Sequence, residues 1–290
     1  MSAAVKTLAA IDAAIVGAQE LPFRAHLGAS VIGKPCARAL WYDFHWTLAQ
    51  KHEAKLLRLF KRGQDEEARF VGYLRDAGMT IWEKDENGKQ FRVGDCEGHF
   101  GGSLDGVGRG CPDLPADEPF LLEFKTHGEK SFKKLTEDGL LSSKWAHYVQ
   151  MQIYMGKMGF SHGLYCAVNK NTDELYFELV AFNDAEYQRG LKRAQTIIFS
   201  VRPPERLSES PSYMECKFCH LHDLCHFGGV TPERNCRTCR FSKVGGDGLW
   251  VCGHPTLGKA RPDKGWLDEA AQRAGCDHYQ PNPLLTERQP

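Results

Sequence analysis

Between residues 119 and 126 the chain reads P-F-L-L-E-F-K-T, an apolar run in which an acid and a base stand one residue apart. Successive side chains of an extended segment face opposite ways, so Phe120, Leu122 and Phe124 share one face and Leu121, Glu123 and Lys125 the other. Shorter runs around 90–108, 162–168 and 174–182 also predict strands, the last two joined through N-K-N-T-D-E as a hairpin. Helical character marks 8–20 and 144–159, and Pro35 places Cys36 at a turn-to-helix junction. Over 52–78, Leu56, Leu57, Phe60, Phe70, Val71 and Leu74 form an amphipathic stripe, with an interruption expected at Gly63. Asn183 with Glu186 resembles a capping box that opens a helix to about Phe199. Pro203-Pro204 ends regular structure, and Ser208 to Ser212 reads as a linker. Beyond it the chain is cysteine-rich and aperiodic, a pattern more often held by metal than by core burial.

Composition narrows the classes. The 290 residues, 42% hydrophobic, can bury a sizeable core and supply one large domain plus a small one. Lys+Arg and Asp+Glu balance at 37 each, so any nucleic-acid surface must be local. The Ala-rich opening is broken by Lys6 and Asp12 and falls short of a membrane span or a secretory signal. A soluble, cytoplasmic protein is the expectation.

The acids carry the candidate chemistry. Asp105, in G-G-S-L-D-G-V-G, is expected inside a short strand flanked by glycines, where backbone or substrate approaches closely. Pairing that strand with 119–126 would bring Asp105 and Glu123 to one cation. A hard divalent ion takes a few carboxylate oxygens plus water, which Asp105, Glu123 and the Phe124 carbonyl can supply. Such an ion polarises a phosphoryl oxygen and lowers the pKa of a bound water, while Lys125 orients that water or stabilises developing charge. The plainer reading is a solvated strand edge.

An Asp followed by Glu-x-Lys on the next strand resembles the PD-(D/E)XK nuclease superfamily, with Leu104 where the name puts Pro. Gln150-x-x-x-Tyr154, a pair on one helical face, resembles the QxxxY element of its RecB-like and lambda-exonuclease-like branches. Glu67, four residues after Gly63, stands where those relatives carry a metal ligand, and the adjacent Glu66 competes for the role. The resemblance implies an α/β, restriction-endonuclease-like core with a central mixed sheet flanked by helices. It also implies catalytic Asp105, Glu123, Lys125, Gln150 and Tyr154. Mg²⁺ or Mn²⁺ would be held by Glu67, Asp105, Glu123 and the Phe124 carbonyl. The implied activity is that of a DNA exonuclease acting on ends or single strands. A catalytically silent nucleic-acid-binding or interaction module and a structure-specific endonuclease are the alternatives.

Eleven cysteines, an odd number, argue against a disulfide framework and for metal ligation, and seven lie between Cys216 and Cys276. Cys216-x2-Cys219-x5-Cys225 is one thiol short of the four an iron–sulfur cluster needs, and Cys36 is the best fourth candidate. One cysteine before the core and three after it resemble CRISPR-associated adaptation nucleases and helicase-nuclease subunits, whose [4Fe–4S] cluster clasps the ends of the nuclease domain. Zinc on the same three cysteines with His220, His222 or His226 is the alternative. Cys96, Cys111 and Cys166 read as buried or incidental thiols.

Cys236-x2-Cys239-x12-Cys252-x23-Cys276 suits a structural Zn²⁺ site, with a hairpin-like stretch through Gly245–Gly248; His254 or His278 could replace Cys276. The expected organisation is therefore a nuclease core over 1–205, an iron–sulfur closing segment over 206–230 with Cys36, and a zinc-binding module over 231–290. Lys130, Lys133, Lys134 and Lys144, around Phe132 and Trp145, are the nearest candidates for DNA contact. Arg234, Arg237, Arg240 and Lys243 with Phe241 and Trp250 form a second set. No P-loop helicase motif is present, and stand-alone phage or mobile-element recombination proteins look similar, which implies a phage or recombination protein as partner.

Overall fold

A computed structural model describes residues 4–19, 23–229, 232–257 and 265–286. In chain order these form α1 (Val5–Gly17), β1 (Leu27–Gly28), α2 (Ala37–Phe44), α3 (Ala54–Asp76), β2 (Thr80–Trp82), β3 (Arg92–Asp95), β4 (Phe100–Ser103) and β5 (Gly106–Arg109). There follow β6 (Phe120–His127), α4 (Glu129–Ser143), α5 (Trp145–Met158), β7 (His162–Asn169), β8 (Leu175–Ala181) and α6 (Asp184–Phe199). Short elements complete the chain: α7 (Met214–Lys217), α8 (His222–His226), β9 (Ser242–Val244), β10 (Trp250–Cys252), β11 (Trp266–Leu267), α9 (Glu269–Ala274) and α10 (Pro283–Thr286). Residue 20 of the expected 8–20 helix and both ends of the expected 231–290 module lie outside the described residues. Among the described residues no helix is long and apolar enough to cross a membrane.

The chain divides into two compact units that interleave in sequence. The first unit takes Met1–Pro22, Lys51–Val93 and Ser103–Tyr187; the second takes Phe23–Gln50, Gly94–Gly102 and Gln188–Pro290.

The first unit is a mixed five-stranded sheet in the order β2-β5-β6-β7-β8, flanked by helices. The apolar strand read from the sequence is its centre: β6 pairs antiparallel with β5 and parallel with β7. The crossover between the parallel strands carries α4 and α5. As the alternation requires, Phe120, Leu122 and Phe124 join one core with Phe70, Val71 and Leu74 of α3, and Phe70 stacks on Phe124 at 5.2 Å. Cys111 and Cys166 are buried thiols of that core. On the other face Met151 and Met155 of α5 lie over Gly163 of β7. Gly108 sits opposite Phe120 in the ladder, where an added Cβ would stand 2.4 Å from the Phe120 ring. The hairpin read over 162–182 is β7-β8, antiparallel from His162↔Ala181 to Val168↔Leu175.

Several expectations are corrected. The 90–108 run is not one strand but β3, a 3-10 turn at Cys96–Gly98, β4 and β5. Asp105 is not inside a strand; it occupies the bend between β4 and β5. Its carboxylate takes the Phe124 N–H at 2.8 Å, so a side chain replaces a main-chain ladder partner just past the last backbone pair, Gly106↔Leu122. The helix α3 runs through Gly63 without interruption, and Leu56 and Phe60 are exposed, because only its second half covers the sheet. The sequence reading lacked β2 and α4.

In the second unit, α2 is capped by Cys36, whose sulfur accepts the Ala39 N–H. Trp41 Nε1 donates to the Ser200 carbonyl at 2.9 Å and Arg38 Nη1 to that of Pro204 at 3.0 Å, tying α2 to the segment after α6. β9, β10 and β11 form a small antiparallel sheet, with β9 and β10 joined through Gly245–Gly248. Arg237 knits this region to residues 23–50. It is 1% exposed, donates to the Phe44 and Ala25 carbonyls and the Gln272 amide oxygen, and lies 3.8 Å from the Trp46 ring centre. Arg237 and the buried Trp250 are therefore structural, and the second basic set loses both as nucleic-acid contacts.

Candidate active site and cysteine pockets

Glu123, Lys125, Asp105 and Glu67 interact near the end of β6. Glu123 is fully buried; its Oε1 is paired with Lys125 Nζ, and its Oε2 accepts Gln150 Nε2 at 3.0 Å. Lys125 Nζ also donates to the Phe124 carbonyl at 3.1 Å. The solvated-edge reading therefore fails for Glu123, although Lys125 keeps a quarter of its side chain in solvent (26%). Tyr154, one turn beyond Gln150 on α5, is buried at 2% exposure.

Electrostatics links these groups to α3. Burial pushes Glu123 up to about 7, against the pull of Lys125 and with help from Asp105 and Glu67. Burial likewise raises Glu67 to about 7, with Asp105 adding to it, Lys125 opposing and Glu83 contributing. Burial works against the charge on Lys125, yet Glu123, Asp105 and Glu67 together carry its pKa upward. Glu67, Asp105, Glu123 and Lys125 thus share one electrostatic neighbourhood. Glu66 points elsewhere: it forms an ion pair with Arg69 at 2.8 Å.

Lys130, Lys133 and Lys134 lie exposed on α4, and Lys144 lies half-buried where α4 meets α5. Lys133 is paired with Glu137 at 3.7 Å, and Phe132 points into the core while Trp145 is exposed. Lys144 is drawn down by burial and by Lys134.

Sequence reasoning missed a buried polar chain beside Glu123. The Tyr165 hydroxyl, on the strand position paired with Glu123, lies 2.9 Å from both His127 Nε2 and His147 Nδ1, and His127 Nδ1 lies 3.2 Å from Ser131 Oγ. Burial first, then Lys144, Lys125 and Lys170, lowers His127 to about 4; burial, Lys125, His127 and Lys144 lower His147 to about 3. Both rings are neutral near pH 7, so the chain can relay hydrogen bonds without adding charge. The one available signal was strand parity, since residues 123, 125 and 127 share a face.

The second unit holds two cysteine pockets. Cys36, Cys216, Cys219 and Cys225 line one together with His222, His226 and Arg206. Burial raises the Cys216 and Cys219 thiols, and Cys36 and Cys225 add to this; Cys225, also raised by burial, is opposed by Arg38 and Arg206. Arg38 is 3% exposed, and among the described residues its Nε and Nη2 have no hydrogen-bond partner. Four soft donors plus orphaned buried cationic donors fit an anionic thiolate-bound group. Cys236, Cys239, Cys252 and Cys276 line the other pocket with His254 and His278.

Among the described residues no three His, Cys, Asp or Glu side chains are drawn tightly enough together to hold a metal ion. At β6 the reason is visible: Glu123 is turned to Lys125 and Gln150, and Asp105 to the Phe124 amide. The all-oxygen donor set there suits a hard divalent cation by type.

No protein-family model matches this sequence, and no curated protein matches it. Among solved structures it is similar to the crystal structure of SSO0001, at 14% identity over 71% of this chain and 88% of that one, with a TM-score of 0.42. It is also similar to the alkaline exonuclease LHK-Exo from Laribacter hongkongensis, at 15% identity over 65% and 90% of the two chains and a TM-score of 0.42. The same exonuclease in complex with dAMP gives 16% identity over 65% and 90%, with a TM-score of 0.40. At such scores no activity passes from these proteins to this chain.

Proposed function

We propose that the chain is a divalent-metal-dependent nuclease that hydrolyses phosphodiester bonds in DNA, acting on ends or on single strands. The observation that supports this is the fully buried Glu123 carboxylate, held between Lys125 and Gln150 with Asp105 and Glu67 in its field. Crowded acids with raised pKa values work against folding, which marks a place arranged for chemistry more than for stability. A bound Mg²⁺ or Mn²⁺, held by Glu67, Asp105, Glu123 and the Phe124 carbonyl, would polarise a phosphoryl oxygen and acidify a water. Lys125 keeps its proton beside these acids and so meets the negative charge that grows on the phosphate as water adds and the bridging P–O bond breaks. Gln150 holds the Glu123 carboxylate in one orientation, and Tyr154 follows it on α5. Lys130, Lys133, Lys134 and Lys144 contact the DNA backbone, Lys144 nearest the site because its charge acts on His127 and His147.

The same reading gives the pocket of Cys36, Cys216, Cys219 and Cys225 a [4Fe–4S] cluster, supported by its four thiols and by the orphaned Arg38 donors beside Cys225. Anaerobically purified protein should then contain iron and absorb broadly in the visible.

The test of the activity uses that preparation on linear and circular DNA, single- and double-stranded, with Mg²⁺, with Mn²⁺ and with a chelator. Metal-dependent loss of linear DNA with circles left intact is expected. Opened circles would make the enzyme an endonuclease, and binding without cleavage in every ion would overturn the nuclease reading.

A further inference from the structure

The second cysteine pocket lies outside the nuclease reading. Three separate segments build it: the 3-10 turn Cys236–Thr238 followed by Cys239, the last residue of β10 (Cys252), and Cys276 just after α9. The sheet beside it is made of strands of three, three and two residues. Strands this short bury little, and folds of this kind commonly rely on a staple. None of the four cysteines is in a disulfide. Cys236 and Cys239 are buried, and Cys252 and Cys276 are half-buried.

We propose that Cys236, Cys239, Cys252 and Cys276 bind one structural Zn²⁺ as a tetrathiolate, and that neither His254 nor His278 is a ligand. The histidines are set aside by their surroundings. His254 Nδ1 accepts the main-chain N–H groups of Thr256 at 3.3 Å and Leu257 at 3.2 Å. With its Nδ1 lone pair engaged by two main-chain N–H groups, the neutral ring carries its proton on Nε2 and would have to give up both bonds to offer Nδ1 to a metal. His278 lies beside His254, the two rings tilted with their centres 5.2 Å apart, and is exposed, whereas Cys276 reaches the same pocket half-buried. The Cys236 sulfur is engaged elsewhere. The Cys236 thiol donates to the Ala271 carbonyl at 3.5 Å, a bond a thiolate cannot make, so deprotonation removes that tie from a sulfur that already lines the pocket. Arg234 donates to the Cys276 carbonyl at 2.9 Å and brings positive charge beside a site whose four thiolates and one Zn²⁺ sum to two negative charges.

The full-length protein, purified without chelators, tests this by elemental analysis together with Co²⁺ exchange. One zinc per chain is expected, kept in His254→Ala and His278→Ala and lost in Cys252→Ser and Cys276→Ser. Because a cysteine variant can fail to fold, the wild-type Co²⁺ spectrum supplies an independent reading: intense tetrahedral bands with the sulfur-to-cobalt charge transfer of four thiolates. A spectrum of mixed nitrogen and sulfur ligation, loss of zinc in either histidine variant, or iron bound to a Cys36→Ser, Cys216→Ser chain would each overturn the assignment. Protein that takes up no metal on refolding with Zn²⁺ would overturn it too. None of these results depends on DNA cleavage, so the zinc assignment and the nuclease reading can fail separately.

Discussion

Gln150 of α5 donates to the carboxylate of Glu123 in β6 at 3.0 Å, so a helix side chain orients an acid with no access to water. Removing the donor leaves a buried carboxylate with one partner fewer. Gln150→Ala should lower stability by about 1–3 kcal/mol and DNA cleavage on the order of tenfold or more. Gln150→Glu should lose as much or more, because it sets a second acid against the first. Melting curves and initial rates on linear DNA check both; an unchanged rate in Gln150→Ala would remove Gln150 from the machinery.

Glu66 and Glu67 are neighbours with different surroundings, one paired with Arg69 and the other in the field of Asp105 and Lys125. Glu67→Ala should abolish metal-dependent cleavage while leaving the fold intact. Glu66→Ala should retain cleavage, its cost falling on stability through the lost Arg69 pair. Mn²⁺ titration of the two variants separates them, and equal weakening of binding in both would show that the assignment between them is wrong.

The raised acids fix a pH dependence. A carboxylate whose folded pKa lies near 7, above its usual value near 4.5, binds more protons in the folded state. Metal-free protein should therefore lose stability as pH rises from about 4.5 to about 7 and level off above that, with Glu123 contributing on the order of 1–3 kcal/mol. Saturating Mn²⁺ favours the ionised acids and should flatten the slope, as should Glu123→Gln in part. Denaturation midpoints at several pH values, with and without Mn²⁺, read this directly; identical curves would mean that the ion does not bind at these acids.

Burial lowers Arg237 to about 9, and its guanidinium serves three oxygens, two from the Phe23–Gln50 segment and one from Gln272. Arg237→Met should strand those acceptors and cost about 3–5 kcal/mol. Trp46 and Trp250, whose rings flank the guanidinium, report the loss by fluorescence during thermal unfolding. A melting temperature within one degree of wild type would contradict this role.

The sequence displayed the centre of the sheet better than its margins. β6 was legible because Phe120, Leu122 and Phe124 alternate with Leu121, Glu123 and Lys125, and β7-β8 because a polar turn separates two apolar runs. Asp105 was legible as a residue but not as a conformation: its glycine-rich surroundings suit a strand, and only the Phe124 amide, supplied from another strand, makes it a bend. β2 is three residues long and carries no pattern, and Gly139, at φ 72°, breaks the periodicity of α4. Leu56 and Phe60 follow the right period yet remain exposed, since periodicity does not say where the sheet ends. The His127–Tyr165–His147 chain draws one residue from each of three elements and leaves no mark in linear spacing.

The most direct measurement of the central claim is the rate at which linear DNA is degraded with Mg²⁺ or Mn²⁺ by the wild-type chain and by Lys125→Ala and Asp105→Ala, each verified as folded by its melting curve. Metal-dependent cleavage by the wild type and its loss in both variants are expected. Cleavage that survives both substitutions, or that proceeds equally in chelator, would contradict the claim.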